Sequence, residues 1–198
     1  RTCFFYKLHI LLVKIKLRHI CVFSIKKLMK SKKNIVFIGM MGSGKSSIGS
    51  IISKRLKLNF FDIDQIIENE LNMSIPEIFE KRGEKFFREF EEKITLKVLK
   101  RNSIVISLGG GAFINKNIRE EILKNHLSFW LKWDNKILIR RIKNSLKRPL
   151  AKKASYNELM DLIKKRSSIY SKASFKINCN NLTKNAIADK ILFKYEDN

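Results

Sequence analysis

Residues 39–46 read GMMGSGKS, which combines the residue types and the spacing of a loop that binds phosphate groups. Glycines let the backbone turn tightly and aim successive N–H groups at phosphate oxygens. Lys45 would place a cation on the outer phosphates, and the hydroxyl of Ser46 can bind Mg²⁺. Six residues form the predicted nucleotide-binding segment: Gly42, Ser43, Gly44, Lys45, Ser46 and Ser47.

A phosphate-binding loop of this kind lies between a strand and a helix. The apolar run 35–38 directly precedes the glycines and predicts a buried strand. Apolar residues at helical spacing follow the loop: Ile48, Ile51, Ile52 and Leu56. The amino terminus of that helix would add the positive end of its dipole to the phosphate site. Both flanks therefore favour nucleotide binding over a chance match.

Strand and helix signals alternate along the rest of the chain. Short apolar runs predict five strands, at 34–38, 59–62, 104–108, 127–131 and 175–178. Helical periodicity fills the intervals; one helix ends at Gly83, the next covers 84–101 and the last covers 186–194. The alternation predicts an α/β fold, a three-layer α/β/α domain with a five-stranded parallel sheet.

The formal net charge of +24 on 198 residues is the most unusual feature of the composition. Such a charge is typical of proteins that bind nucleic acid or anionic membranes. Here, however, Lys, Ile and Asn are all abundant and the cations are spread evenly, as a nucleotide-biased coding sequence would produce. We therefore expect a solvated basic surface that suits anionic substrates, and we expect the chain to bind neither nucleic acid nor a membrane.

The cysteines and the amino-terminal segment bear on the compartment. Cys3, Cys21 and Cys179 have no disulfide or metal-ligand spacing, which indicates reduced thiols in the cytoplasm. Residues 1–28 carry seven cations and no acid, and their apolar stretch 10–13 is too short for a signal peptide or a membrane span. We expect this segment to be a non-native or targeting extension, and the domain to cover 29–198. A transit peptide for a plastid or another organelle remains the alternative.

Several residues outside the loop have chemistry that suits a binding site, and each has a plainer explanation. Asp62 and Asp64 follow a predicted strand and would point to the edge of the site, although Asp64 could simply cap the next helix. Arg88 could bind an anion or only pair with Glu91 or Glu92 on its own helix. The glycine run 109–111 would let a ligand approach the bare backbone.

Six segments together resemble the shikimate kinases: GMMGSGKSSIG, FFDIDQIIE, GEKFFREFEE, SLGGGA, RPL and KKRSSIY, in the order and at the spacings of that family. The resemblance covers about residues 33–195. It implies the P-loop fold of the nucleoside monophosphate kinases. It also implies transfer of the γ-phosphate of ATP to the 3-hydroxyl of shikimate, a step of aromatic amino-acid (chorismate) biosynthesis, with one Mg²⁺ ion, ATP and shikimate as ligands. We expect a monomer.

The resemblance also implies roles for individual residues. Asp64, Lys45 and Arg148 would be catalytic, with Asp64 accepting the proton of the reacting hydroxyl. Ser46 and Asp62 would hold the metal, Asp62 through water, and Ser107 would contact its water shell. Shikimate would be bound by Asp64, Arg88, Gly109, Gly110, Gly111 and Arg166, and Glu91 would help to hold this site.

Arg141 and Arg148 would contact the nucleotide. The resemblance implies that Arg141 packs on the adenine, although the neighbouring Arg140 leaves the register open. Arg148 lies in the basic segment 145–155, which would form a lid over ATP. Two departures from the family pattern are Ala151 after Arg148-Pro149-Leu150, within an unusually lysine-rich lid, and Ser47 at a position that is often Thr.

Three alternatives remain open at this stage. A related kinase for gluconate or a nucleoside monophosphate would lack this combination of aspartates, glycines and arginines. A catalytically silent P-loop protein need not retain Lys45, Ser46, Asp64 and Arg148 together. A basic RNA-binding protein would show salt-sensitive affinity for nucleic acid.

Overall fold

The computed structural model describes residues 33–144 and 154–197. The predicted extension, residues 1–28, lies outside the described part of the chain. So do Arg148 and most of the predicted lid, so the placement of both stays a prediction.

Five parallel strands form one sheet at the centre of the domain. They are β1 (Ile35–Ile38), β2 (Asn59–Asp62), β3 (Ile104–Ser107), β4 (Leu127–Lys132) and β5 (Phe175–Asn178). Their order is β2-β3-β1-β4-β5, and each of the four pairings is parallel. Every residue of β1 and β3 is buried, so both faces of the sheet are covered. The predicted α/β fold is confirmed.

Seven α-helices surround the sheet in the described part of the chain. They are α1 (Lys45–Leu56), α2 (Ile63–Leu71), α3 (Ile75–Leu99), α4 (Lys116–Asn125), α5 (Asn135–Lys143), α6 (Tyr156–Tyr170) and α7 (Lys184–Glu196). A 3₁₀ turn, Ala112–Ile114, follows the glycine run. Within the described residues, no helix combines the length and the apolar character that crossing a membrane requires.

Helix α3 shows how local sequence signals shape the fold near the site. Ser74 and Glu77 form a reciprocal capping box at its start, and Pro76 occupies the first turn. Gly83 has φ 81° and ψ 168°, so the helix is broken there and resumes at once. The sequence therefore predicted the break at Gly83 correctly. The second helical piece ends at Leu99, two residues before the predicted end at 101.

The parallel topology brings the functional segments to one edge. Phe37 of β1 and Asp62 of β2 are both in register with Ser107 of β3, and all three residues lie at or next to the carboxyl ends of their strands. The connection after β1 runs to one side of the sheet, and the connection after β3 crosses to β4 on the other side. Open α/β sheets bind ligands in the crevice at such a switch point.

Candidate active site

The loop between β1 and α1 has the conformation expected of a phosphate cradle. Gly42 and Gly44 have φ values of 77° and 88°, a region that side chains rarely allow, and Gly44 is the N-cap of α1. The ammonium of Lys45 donates to the carbonyl oxygens of Gly39 and Met40, both at 3.0 Å, which holds it over the loop. The helix dipole and the Lys45 charge therefore act on the same small volume.

A cavity of about 230 Å³ joins this loop to the ends of β2 and β3. Its lining residues are Met41, Gly42, Gly44, Lys45, Ser46, Ser47, Asp62, Asp64, Ser107 and Leu108. Asp62 is the N-cap of α2, because its side chain accepts the Asp64 N–H at 3.1 Å. The plainer explanation of Asp64 as the cap is therefore wrong. Both aspartates share one cavity with the predicted phosphate site.

The donor set in this cavity suits Mg²⁺. The Ser46 and Ser107 hydroxyl oxygens lie 3.4 Å apart, and Asp62 lines the same cavity. Hydroxyl and carboxylate oxygens are hard ligands of the kind that Mg²⁺ prefers, usually together with waters and substrate phosphates. Within the described residues no group of three or more His, Cys, Asp or Glu could hold a metal by itself. The oxygen ligands of Ser46, Ser107 and Asp62 thus fit a Mg²⁺ ion.

A second cavity, of about 440 Å³, carries three cations on its wall. Its lining residues are Glu84, Arg88, Glu91, Gly111, Ile114, Asn115, Leu162, Lys165, Arg166 and Ile169. Two guanidinium groups suit a planar carboxylate, which they can bind through paired hydrogen bonds. The apolar side chains of Ile114, Leu162 and Ile169 suit the carbon skeleton of the same ligand.

Arg88 of α3 is held by two acids. Its Nη1 donates to Glu91 Oε2 at 2.7 Å, and its Nε and Nη2 donate to Glu84 Oε1, both at 3.2 Å. The predicted partner Glu91 is present, whereas Glu92 instead accepts from Asn115 and from another asparagine. Pairing on its own helix and lining a cavity are thus compatible, because the acids fix the guanidinium at the cavity wall.

The glycine run exists because side chains on either side approach its backbone closely. A Cβ atom at Gly109 would overlap Glu91 Oε1 and lie 2.7 Å from Asp64 Oδ1. A Cβ atom at Gly111 would lie 2.5 Å from Arg88 Nη1. Real Cβ atoms do not show such contacts, so any side chain here would displace the carboxylates or the guanidinium. Gly109 therefore lies between Asp64, which lines the first cavity, and Glu91, which lines the second.

Glu91 is the most strongly buried acid of the site. It is 2% exposed, and its Oε1 has no hydrogen-bond partner in the part of the chain that the structure describes. Burial raises the pKa of Glu91, the Arg88 charge opposes this shift, and the nearby Asp64 carboxylate adds to it. The Arg88 charge thus favours the ionised form of this acid, against the effect of burial.

Helix α6 attaches to the glycine run through one carbonyl oxygen. Arg166 Nη1 donates to Gly110 O at 3.2 Å, and the hydroxyl of the fully buried Tyr170 donates to the same oxygen. A Cβ atom at Gly110 would lie 3.2 Å from the Met41 amide nitrogen, so this residue also lies beside the phosphate loop. Arg166 is therefore positioned by the loop it faces.

Arg141 lies beside the phosphate loop and lines neither cavity. Its guanidinium lies 3.7 Å above the Trp133 ring, and its Cβ would be 3.5 Å from a Cβ atom at Gly42. Arg141 rather than Arg140 makes these contacts, whereas its contact with the adenine stays a prediction. Each predicted site residue in the described part of the chain therefore lines one of the two cavities or lies next to a residue that does.

Sequence reasoning missed three contributors to this arrangement. Glu84 and Tyr170 each lie four residues from a predicted arginine, Arg88 and Arg166, and that spacing is a usable signal on a helix. Trp133 carries no comparable local signal, because its contacts join segments far apart in the chain.

Comparison with known proteins gives a consistent result. A sequence model of the shikimate kinase family matches residues 41–196. The chain is 40% identical over 179 residues to the shikimate kinase of Bartonella quintana, and the aligned region covers 88% of this chain and 85% of the relative. The chain is also 40% identical over 169 residues to the shikimate kinase of Bacillus subtilis, and here the aligned region covers 81% of this chain and 88% of the relative.

The solved structures agree. The shikimate kinase of Acinetobacter baumannii, determined in complex with shikimate, superimposes with a TM-score of 0.81 at 30% identity and covers 87% of this chain and 97% of its own. The range matched by the family model includes most of the phosphate loop, the glycine run and both arginine-bearing helices. The chain belongs to the shikimate kinase family.

Proposed function

We propose that the chain transfers the γ-phosphate of ATP to the 3-hydroxyl of shikimate, giving shikimate 3-phosphate and ADP. One observation carries the proposal: Gly109 lies between Asp64, which lines the cavity at the phosphate loop, and Glu91, which lines the cavity that carries three cations. Phosphoryl transfer is mostly a matter of positioning and charge neutralisation, and these two cavities supply both.

The acceptor would be oriented by its carboxylate. Arg88 and Arg166 both line the larger cavity, and each is fixed by partners of its own, Glu91 and the Gly110 carbonyl. A fixed guanidinium loses little conformational freedom when it binds, so the carboxylate is held in one orientation. The ring of the acceptor would then pack against the glycine run 109–111.

The reacting hydroxyl would face Asp64. A carboxylate at this position can accept the hydroxyl proton while the oxygen attacks the γ-phosphorus. Lys45 and the amide groups of residues 42–47 would neutralise the phosphate oxygens, which lowers the barrier as negative charge moves to ADP. Asp64 and Lys45 line the same cavity, so both groups reach one transferring phosphate.

The metal and the two remaining arginines complete the proposal. Ser46 and, through water, Asp62 would hold Mg²⁺, which when bound neutralises phosphate oxygens. Arg141 would stack on the adenine. Arg148 lies outside the described residues. Its proposed role, a cation that a lid brings to the γ-phosphate, is supported by the family resemblance alone.

A coupled assay of ADP release tests the proposal with the full chain. We expect a large increase in ADP release when shikimate is added to Mg-ATP, and only background release with gluconate or without an acceptor. Nucleotide binding without an acceptor-dependent rate would favour a silent P-loop protein. A rate with gluconate but not with shikimate would contradict the proposed acceptor.

Two finer predictions belong to the same proposal, namely that the chain works as a monomer and that it binds neither nucleic acid nor membranes. The even spread of its cations along the sequence supports the second, since binders of nucleic acid carry a basic stripe or patch. Light scattering of the eluted protein would test the first. Titration with RNA at two salt concentrations would test the second, because true phosphate contacts weaken steeply with salt.

A further inference from the structure

Trp133 connects the phosphate loop to Arg141 through two different parts of its side chain. It follows β4 directly and is only 8% exposed. Its indole Nε1–H donates to the Ser43 carbonyl oxygen at 2.9 Å. Its ring lies 3.7 Å beneath the Arg141 guanidinium carbon. One buried side chain thus contacts both the phosphate loop and the cation beside it.

The contact with Ser43 stabilises the shape of the loop. Ser43 is 1% exposed, and its carbonyl group would be costly to bury without a donor. The indole N–H is a donor only, so it cannot compete with the loop amides for phosphate oxygens. Removal of this N–H should therefore loosen the cradle for every phosphate ligand, whatever base that ligand carries.

The contact with Arg141 acts on a different part of the ligand. Arg141 is exposed in the last turn of α5, and a long exposed side chain ordinarily samples many rotamers. Indole is the aromatic ring that attracts a cation most strongly, so Trp133 holds one face of the guanidinium. A planar guanidinium has a second face, which can stack on a purine base.

We propose that Trp133 is a positioning residue for the nucleotide. Its N–H fixes the loop carbonyl of Ser43, and its ring holds Arg141 flat, so that indole, guanidinium and adenine form one stack. This inference rests on the proposed function, in which Arg141 contacts the adenine. It adds a residue that touches no ligand but controls two parts of the nucleotide site.

Two substitutions separate the two contacts. Trp133→Phe keeps an aromatic face under Arg141 and removes the donor, whereas Trp133→Leu removes both. Calorimetry gives the Kd of ADP, which carries the base, and of tripolyphosphate, which does not. We expect Trp133→Phe to weaken both ligands by a similar factor of about three to ten. Trp133→Leu should weaken ADP by a further factor of about three to ten without a further loss for tripolyphosphate.

A double-mutant cycle and a matched control sharpen the test. Arg141→Gln should weaken ADP in the native background and have little further effect in Trp133→Leu, because the two residues act together. Phe175→Leu is the control. Phe175 is a partly buried ring that also lies beneath a cation, Lys194 at 5.8 Å, but it lies at the amino end of β5. The control should lower the melting temperature and leave both Kd values within twofold.

Several results would overturn the inference alone. One is a Trp133→Leu chain that is folded and binds ADP within twofold of the native chain. Another is a Trp133→Phe chain with unchanged affinity for tripolyphosphate, which would show that the hydrogen bond from Trp133 to Ser43 does not support phosphate binding. Native protein that binds no ADP at all would instead overturn the proposed function, and with it this inference.

Discussion

The proposed carboxylate-binding role of Arg88 can be tested with a substitution that keeps the charge. Lysine in place of Arg88 retains one positive charge but replaces five fixed donors with a compact ammonium. The guanidinium contacts Glu91 at 2.7 Å and Glu84 at 3.2 Å at the same time, and it still lines the cavity. An ammonium cannot reach both acids and also offer a paired fork to a ligand.

The size of the effect follows from the lost hydrogen bond. A hydrogen bond to a charged group contributes about 1.5–3 kcal/mol. Loss of one of the two bonds to the shikimate carboxylate therefore corresponds to a roughly 10- to 150-fold increase in KM. The kcat should change much less, because the carboxylate lies away from the reacting hydroxyl and is bound alike before and during transfer.

Steady-state kinetics with shikimate varied at saturating Mg-ATP measure this prediction. Arg82→Lys is the matched control, because Arg82 is an exposed arginine on the same helix, lies over the Phe86 ring at 5.0 Å and lines neither cavity. The control should leave both constants unchanged. A normal KM for shikimate in Arg88→Lys, or a loss confined to kcat, would refute the assignment of Arg88 to the carboxylate.

Other predictions concern the reacting groups and the glycine run. Asp64→Asn should lower kcat by about 10²- to 10⁴-fold with little change in either KM, as loss of a general base does. The control is Asp134→Asn, which should leave kcat unchanged, because Asp134 caps α5 and lines neither cavity. Gly109→Ala should abolish activity, because the added Cβ would overlap Glu91 Oε1. Gly110→Ala should only reduce activity, because its Cβ would lie 3.2 Å from the nearest atom, the Met41 amide nitrogen. Removal of Mg²⁺ by chelation should stop ADP release, and Ser46→Ala should raise the Mg²⁺ concentration needed for half of the full rate. Glu91→Gln should raise the KM for shikimate and flatten the pH dependence of stability measured by urea unfolding.

Much of the fold was predictable because its signals are local. The strands β1 and β3 are buried on both faces, so they are continuous apolar runs that periodicity identifies without knowledge of their neighbours. The break at Gly83 was also predictable from a local signal, because glycine is the residue that most readily adopts a positive φ, here 81°. The 3₁₀ turn Ala112–Ile114 was missed, because three residues are too few to show a period.

The site was predictable only as far as strand ends and motifs define it. The topology of a parallel sheet dictates that the phosphate loop, the aspartates and the glycine run share one edge. No local pattern shows that Tyr170 donates to the Gly110 carbonyl, 60 residues away, or that Trp133 donates to Ser43, 90 residues away. Such contacts depend on how helices pack on the sheet, which a single sequence does not specify.

Glu91 links the stability of the fold to the proposed carboxylate site. Because burial raises its pKa above the ordinary 4.5, the folded chain binds the Glu91 proton more tightly than the unfolded chain does. The stability from this proton is complete below about pH 4.5 and is lost as the pH rises through the raised pKa. Above that raised pKa the ionised acid contributes less to stability than a neutral group would, and Glu91→Gln should remove that part of the pH dependence. Glu91 Oε2 also accepts from Arg88 Nη1 at 2.7 Å, so the substitution that relieves the fold should also loosen the proposed carboxylate site. An acid kept at this position only for packing would show the gain in stability without any change in the KM for shikimate.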